Sequence, residues 1–498
     1  MSAADPSAAT PTAATGSPTA APPADYSGAR PPPPRRPRRR WRRLLLVLLL
    51  LAVLFAIAAV WGNRPHVPQR EPQAVHRSPQ QLAQGLYLAR AADCMACHDG
   101  VGGMGGAREG QPFAGGKPLP TPFGTLYGTN ITPDPDHGIG RWTAEEFHAA
   151  VTRGTAPGGR QLYPAMPYAS YHLMSREDSD LIYGYLMNIR PVAQPNTKPA
   201  LPFPFNLRVL MFGWKTLFLS SAPLPVGSQG QSPAWLRGQY LGNVMGHCAE
   251  CHTPRGMFGQ MQKDRWLQGG TLSLFTAPGI TAEALAARGW TREGMAQFLQ
   301  TGFSAHGSAF DEMHEVIANS TRYLTAEDMT ALSTFLLGDN PPAPQPLPAA
   351  VSPDSGTGNS AGNSAGNSAG NGAVNGAGTL DAGRGHYMAL CASCHGSEGL
   401  GRSLTMPPLK GNSTVRQADA RNLVLAILVG LPKHPATQQG PTPLPGMPGF
   451  IQELTDGEVA ALANYTRTTL GGQPADVTAA QVADLRSAAG KSGHKAAP

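Results

Sequence analysis

The sequence predicts an all-α protein made of three tandem variations on one helical unit, placed behind an apolar amino-terminal helix. Three observations predict it. The pentapeptide Cys94-Met95-Ala96-Cys97-His98 returns as Cys248-Ala249-Glu250-Cys251-His252 and as Cys391-Ala392-Ser393-Cys394-His395. A Gly-x-Tyr segment precedes each copy: Gly85-Leu86-Tyr87, Gly238-Gln239-Tyr240 and Gly385-His386-Tyr387. A capping pair then opens a closing helix in every unit, and 498 residues leave room for about three domains.

In a helical turn, cysteines three residues apart share a face, so both can form thioethers to the vinyl groups of one porphyrin. The histidine that follows is brought under the ring, where imidazole can bind iron. This is the c-type haem attachment pattern. A zinc half-site or a redox dithiol is the alternative for a lone C-x-x-C. All six cysteines fall inside the three copies, and each copy has its own histidine. The expected covalent sites are therefore Cys94 and Cys97, Cys248 and Cys251, and Cys391 and Cys394, with His98, His252 and His395 as axial ligands of three haem irons.

Composition agrees with small cytochrome domains in which a porphyrin supplies much of the core. Proline (49) and glycine (59) are abundant, and charged residues make up only 14%. The net charge of +7 is local: residues 1–43 hold eight arginines against Asp5 and Asp25. The rest is close to neutral and gives no support to nucleic-acid binding. Haem attachment of this type takes place outside the bacterial cytoplasm, so the domains are expected to be exported.

Residues 1–43 read as a disordered Pro- and Arg-rich arm. Leu44 to Trp61 is an unbroken apolar run of eighteen residues, about 27 Å as a helix and long enough to cross a bilayer. The arginines on its amino side place that side in the cytoplasm. An uncleaved anchor is favoured over a signal peptide cut near Ala56-Ile57-Ala58.

The first domain is expected over 79–200. A helix from Gln81 runs into the first motif, and its Gly85 marks a close approach to the last helix. The last helices begin at Ser175 with Asp178, Thr325 with Asp328, and Thr455 with Glu458. Leu181, Ile182, Tyr185, Leu186 and Ile189 then follow at helical spacing. A middle helix ends at Gly154, Gly302 or Gly430, preceded in two units by Trp142-Thr143 and Trp290-Thr291. Residues 201–230 join the first two domains. Their apolar stretch Leu207–Leu219 is too short to span a membrane, and interfacial and inter-domain packing both remain open.

The second domain is expected over 231–340 and the third over 379–487, with a tail at 488–498. Between them, residues 341–378 are proline-rich and then repeat Gly-Asn-Ser-Ala from Gly358. Such a tether buries nothing, and about 27 residues of it would span roughly 28 Å as a free coil. The third domain is thus expected to move.

For the second axial ligand, Pro164-Ala165-Met166-Pro167 is the unit-one choice, since flanking prolines hold a short loop that presents a thioether. Gly446-Met447-Pro448-Gly449 occupies the same place in unit three. In unit two, position favours Met313 over His314 or His306. Gly100-Val101-Gly102-Gly103-Met104-Gly105 matches a dinucleotide fingerprint but follows no strand, which removes that reading.

The segments Thr129-Asn130-Ile131-Thr132-Pro133-Asp134, Leu162 to Tyr168, Gly246 to Arg255, Asn319 to Thr325 and Val477 to Val482 complete a pattern. With the three motifs they resemble the three-haem cytochrome c subunits of membrane-bound alcohol, gluconate, sorbitol and related dehydrogenases of Gram-negative bacteria. The resemblance runs from about Gln80 to Arg486. It implies class I cytochrome c-like haem domains and supports Met166, Met313 and Met447 as ligands. It further implies electron transfer from a separate dehydrogenase subunit to ubiquinone, on the periplasmic side of the inner membrane. The partner's cofactor (flavin, quinone or molybdenum) is not chosen by these residues. The long arm and the tether depart from the pattern. A membrane-tethered carrier to a terminal oxidase, and a haem peroxidase with an open iron in unit two, are the rival readings.

Overall fold

The computed structural model describes residues 38–63, 68–72, 74–99, 111–219, 230–271, 274–346, 376–402, 405–431 and 446–491. The arm before residue 38, the glycine-rich stretch after the first motif, most of the tether and the last residues lie outside them.

Arg38–Asn63 forms one helix, and its window Trp41–Ala58 is long and apolar enough to cross a membrane. Its residues through Ile57 belong to a compact unit separate from the rest of the chain.

The other described residues are mainly helical, with four short antiparallel strand pairs among them that helical periodicity did not foretell. In unit one the leading helix Pro79–Ala91 is capped by Ser78 and Gln81. It stops earlier than expected, because Asp93 turns into the left-handed region (φ 51°) before Cys94–His98 forms its own short helix. The break lets the motif leave the axis of the helix that carries it. Unit two makes the corresponding turn at His247 (φ 39°). The middle helices Ala144–Arg153 and Arg292–Thr301 start at Thr143 and Thr291, as the Trp-Thr pairs require. They stop at Gly154 and Gly302, both left-handed. The capping hydroxyls of Ser175, Thr325 and Thr455 each accept from the backbone N–H three residues on.

In each unit the leading helix crosses the last one at a glycine. A Cβ on Gly85 would stand 2.3 Å from Leu181 O, and one on Gly238 would stand 1.9 Å from Ala331 O. In unit three the crossing glycine is Gly383, where a Cβ would meet Ala461 O at 2.1 Å. Gly385, which the Gly-x-Tyr echo picks out, has open space around it. Tyr387 is fully buried inside its own unit, where it donates to Gly396 O at 2.7 Å. Tyr87 and Tyr240 instead turn outward to the neighbouring unit: Tyr87 donates to Asp328 at 2.5 Å and Tyr240 to Asp178 at 2.5 Å.

Units one and two thereby share one apolar core, which includes Leu88, Ile182, Leu186, Leu241, Met245 and Leu332. The helix Leu210–Phe218 from the connecting segment lies against both units, through Lys215 to Gly154 O and Trp214 to Phe258 O.

Unit three has a separate core around Leu425, Leu428, Val459 and Leu462, which also takes in Leu274 and Phe275 of unit two. The freely moving third domain expected from the tether is not what these residues form. Asn422 Oδ1 accepts from Thr276 N at 2.9 Å, and its Nδ2 donates to Thr276 O at 2.7 Å. Arg416 donates to Ala287 O, Gln345 O and Pro346 O, pinning the start of the tether between the two units. Composition reports what a segment lacks, whereas docking depends on side chains at its far end.

Candidate haem centres

The three pentapeptides close short helices, Cys94–His98, Ala249–His252 and Ala392–His395, so each cysteine pair and its histidine sit together. None of the six cysteines is paired in a disulfide, and all are half-buried. Burial pushes the thiols of Cys94 and Cys251 up to about 12, and those of Cys97, Cys248 and Cys391 up to about 11. Among the described residues, no group of three His, Cys, Asp or Glu side chains is placed to hold an ion.

Every motif histidine is oriented in the same way. His98 Nδ1 lies 2.7 Å from Thr129 O, His252 Nδ1 lies 2.6 Å from Pro278 O, and His395 Nδ1 lies 2.8 Å from Pro407 O. A carbonyl only accepts, so Nδ1 carries the proton and Nε2 is left with its lone pair. Burial lowers the imidazole pKa of His98 and His395 and brings His252 down to about 4, with the carbonyl bond acting the other way. Neutral imidazoles with a fixed tautomer are what iron ligation needs. This donor set fits a c-type haem at each motif. The three carbonyls were missed in the sequence because a backbone acceptor has no residue signature. Thr129 does open one of the segments that carry the resemblance.

The three methionines also share a setting. After the glycine that ends each middle helix, the chain makes a brief antiparallel pairing and then reaches the methionine. Thr155–Ala156 pairs with Arg160–Gln161 before Met166, and Phe303–Ser304 pairs with Gly307–Ser308 before Met313. In unit three the pairing is the Leu431–Met447 bridge itself. All three methionines are half-buried. Glu312, beside Met313, bears on the thiol of Cys251 in its own unit. His306 sits at the hairpin tip, its ring against Trp290 at 5.3 Å and its carbonyl accepting from Ser413 N at 2.6 Å. His314 directly follows Met313, on the helix Glu312–Asn319.

The motifs of units one and two are neighbours. Asp93 bears on Cys94 and Cys97 and, across the unit boundary, on Cys248. Tyr171, on the short helix after Met166, donates to Ala92 O and packs its ring on His247 at 5.6 Å. Phe310, close before Met313, packs on Phe275 at 5.3 Å where the unit-three core begins. Unit two therefore touches both of the others.

Comparison with known proteins agrees. The cytochrome c family profile matches residues 380–470. The chain is 35% identical over 418 residues to the fructose dehydrogenase cytochrome subunit of Gluconobacter japonicus, covering 83% of this chain and 84% of that one. It is 36% identical over 416 residues to the cytochrome c subunit of alcohol dehydrogenase (quinone) of Gluconacetobacter polyoxogenes, covering 81% and 84%. The gluconate 2-dehydrogenase cytochrome c subunit of Pantoea cypripedii is 35% identical over 421 residues, covering 81% and 89%. With its motif histidines each held by a carbonyl and its length shared with these relatives, this chain belongs to the family of cytochrome c subunits of fructose, alcohol and gluconate dehydrogenases, which carry covalent c-type haem and transfer electrons.

Proposed function

We propose that the chain carries three c-type haems and relays electrons through them from a periplasmic dehydrogenase subunit, of the alcohol, sugar, sugar-acid or aldehyde type, to ubiquinone. The observation that carries this reading is the imidazole–carbonyl bond repeated at all three motifs. Cys94 and Cys97, Cys248 and Cys251, and Cys391 and Cys394 are the covalent attachments. His98, His252 and His395, together with Met166, Met313 and Met447, would hold the three irons. When bound so, each haem supplies one-electron exchange at a potential raised by its methionine.

The chain's own residues hold this relay. Three peptide carbonyls fix the imidazoles, and the recurring pairing sets each methionine loop. The matched setting of Met313 supports a closed unit two and weighs against a peroxidase site there. The carrier reading rests on a free third unit, and Asn422 and Arg416 tie that unit down. The helix Arg38–Asn63 serves as the membrane anchor that keeps the haem units at the periplasmic face. A dehydrogenase subunit that copurifies with the chain, and ubiquinone reduction by the purified complex on adding its substrate, are the expected results. Reduction of a terminal oxidase in a membrane without quinone would instead favour the carrier.

A further inference from the structure

Two buried arginines lie near each other at the joint between units two and three, and neither pairs with a carboxylate among the described residues. Arg288 of unit two is 7% exposed, and Arg416 of unit three is 8% exposed. Burial, and then the charge of Arg416, bring the guanidinium of Arg288 down to about 10. Arg416 reaches across the boundary. Its Nη2 donates to Ala287 O at 2.9 Å, and its Nη1 lies 2.7 Å from where a Cβ on Gly289 would stand. Arg288 donates through Nη2 to Gly279 O, while its Nε is buried with no hydrogen-bond partner among the described residues. The indole nitrogen of Trp290, on the other side of Gly289, is buried in the same condition.

A buried charge is normally paired. Arg467 shows that this fold does so elsewhere: it is 1% exposed, donates to Gln417 O and Ala418 O, and also holds Asp476 at 3.0 Å. The hydrogen bonds of Arg288 and Arg416 go to carbonyls instead. Two cations and an indole N–H gathered around Gly289 make a receptor for a carboxylate. The receptor stands beside the second motif. Gly279 follows Pro278, whose carbonyl holds His252 Nδ1 at 2.6 Å, and the charge of Arg288 bears on His252. A haem brings two carboxylates of its own, one on each propionate.

We infer that Arg288, Trp290 and Arg416 together bind a propionate carboxylate of the unit-two haem, so that this haem is itself part of the joint that docks unit three. The inference rests on the three-haem reading above. Arg288 and Trp290 hold the carboxylate from within its own unit, and Arg416 closes on it from the next one. The arrangement ties docking to redox behaviour. Reduction adds one negative charge to the haem, and two nearby cations in a dry place favour that charge. Docking of unit three therefore raises the potential of unit two.

The test uses the full mature chain, with its haem isotopically labelled at the carboxyl carbons. In redox titration, Arg288→Gln is expected to shift one of the three reduction equilibria about three- to tenfold toward the oxidised form, up to about 59 mV for one electron. Arg416→Gln should move the same one in the same direction. Arg288→Lys and Arg416→Lys keep the charge without the guanidinium fork and should stay near the unaltered value. Lys and Gln variants that behave alike would overturn the inference, since a purely structural role does not distinguish charge. In redox-difference infrared spectra, a carboxylate band that responds to the label should change in both Gln variants. A shifted potential with no change in any label-sensitive band would assign the site to a solvent anion and overturn the inference. If the variants fail to mature, solid-state NMR of the unaltered chain decides: a labelled carboxyl within hydrogen-bonding range of both a guanidinium and an indole nitrogen is expected, and its absence overturns the inference. Peptide mass spectrometry that finds no haem at Cys248 and Cys251 would sink the three-haem reading and this one together. Haem present there, with potentials and bands unmoved, would sink this one alone.

Discussion

Tyr87 and Tyr240 are exchanged between units: each sits at the same place on its own leading helix and donates to a carboxylate in the first turn of the other unit's last helix. Asp178 and Asp328 belong to the N-terminal turns of those helices, where negative charge is favourable. Burial works against the Asp328 charge, but hydrogen bonds from Arg237 and Tyr87 prevail and hold its pKa below the ordinary value. Replacing Tyr240 with Phe should lower the thermal stability of the full chain by about 1.5–3 kcal/mol, the value of a hydrogen bond to a charged partner. Tyr87→Phe should cost less, because Asp328 keeps Arg237. Paired unfolding curves of the two variants check the ranking.

The same contact predicts an alkaline limit. Burial first, and then the bond to Asp178, push Tyr240 up to about 12 from 10.0. The folded state keeps a proton that the unfolded state loses, so this contribution is fully present below pH 10 and disappears as pH rises through about 12. Denaturation midpoints measured across that window should fall more steeply for the unaltered protein than for Tyr240→Phe.

Gly383 and Gly385 separate the true helix crossing from its sequence echo. Gly383→Ala drives a methyl group into Ala461 O, so unit three should lose about 3 kcal/mol or fail to mature. Gly385→Ala meets nothing and should be neutral or stabilise by about 0.5–1 kcal/mol. Haem content and melting of the two variants report the difference, and equal behaviour would contradict the crossing.

Asn422 is the buried pivot of the third unit. Asn422→Ala removes its bonds to Thr276 N, Thr276 Oγ1 and Thr276 O, which weakens docking by about 1–3 kcal/mol. The optical spectrum should not change, while electron exchange between units two and three after flash reduction should slow. An unaltered rate would mean that docking does not set the distance between them.

Met313→Ala should take away one of three shares of the methionine–iron charge-transfer absorbance and lower one midpoint potential. His306→Ala should leave both as they were, since that ring packs on Trp290. Redox titration with spectral readout compares the two.

The parts legible in the sequence were those written in side chains at fixed local spacing. The pentapeptides, the capping hydroxyls of Ser175, Thr325 and Thr455, and the stops at Gly154 and Gly302 are set by chemistry within one turn of helix. Contacts made across the chain were not legible. Nothing near Tyr387 in the sequence says that it points inward while Tyr87 and Tyr240 point out. The carbonyls of Thr129, Pro278 and Pro407 carry no side-chain mark. The docking of unit three depends on Asn422 and Thr276, far apart in sequence, and so the tether alone suggested freedom.

The central claim is that three haems are bound through sulfur, one at each pentapeptide. The most direct measurement is the intact mass of the mature, acid-denatured protein from a host that attaches haem, with iron counted alongside. The account predicts a mass raised by three haems with three irons, and two of each when Cys391 and Cys394 are both replaced by Ala. A mature protein with fewer than three retained haems, or one holding zinc in their place, would contradict it.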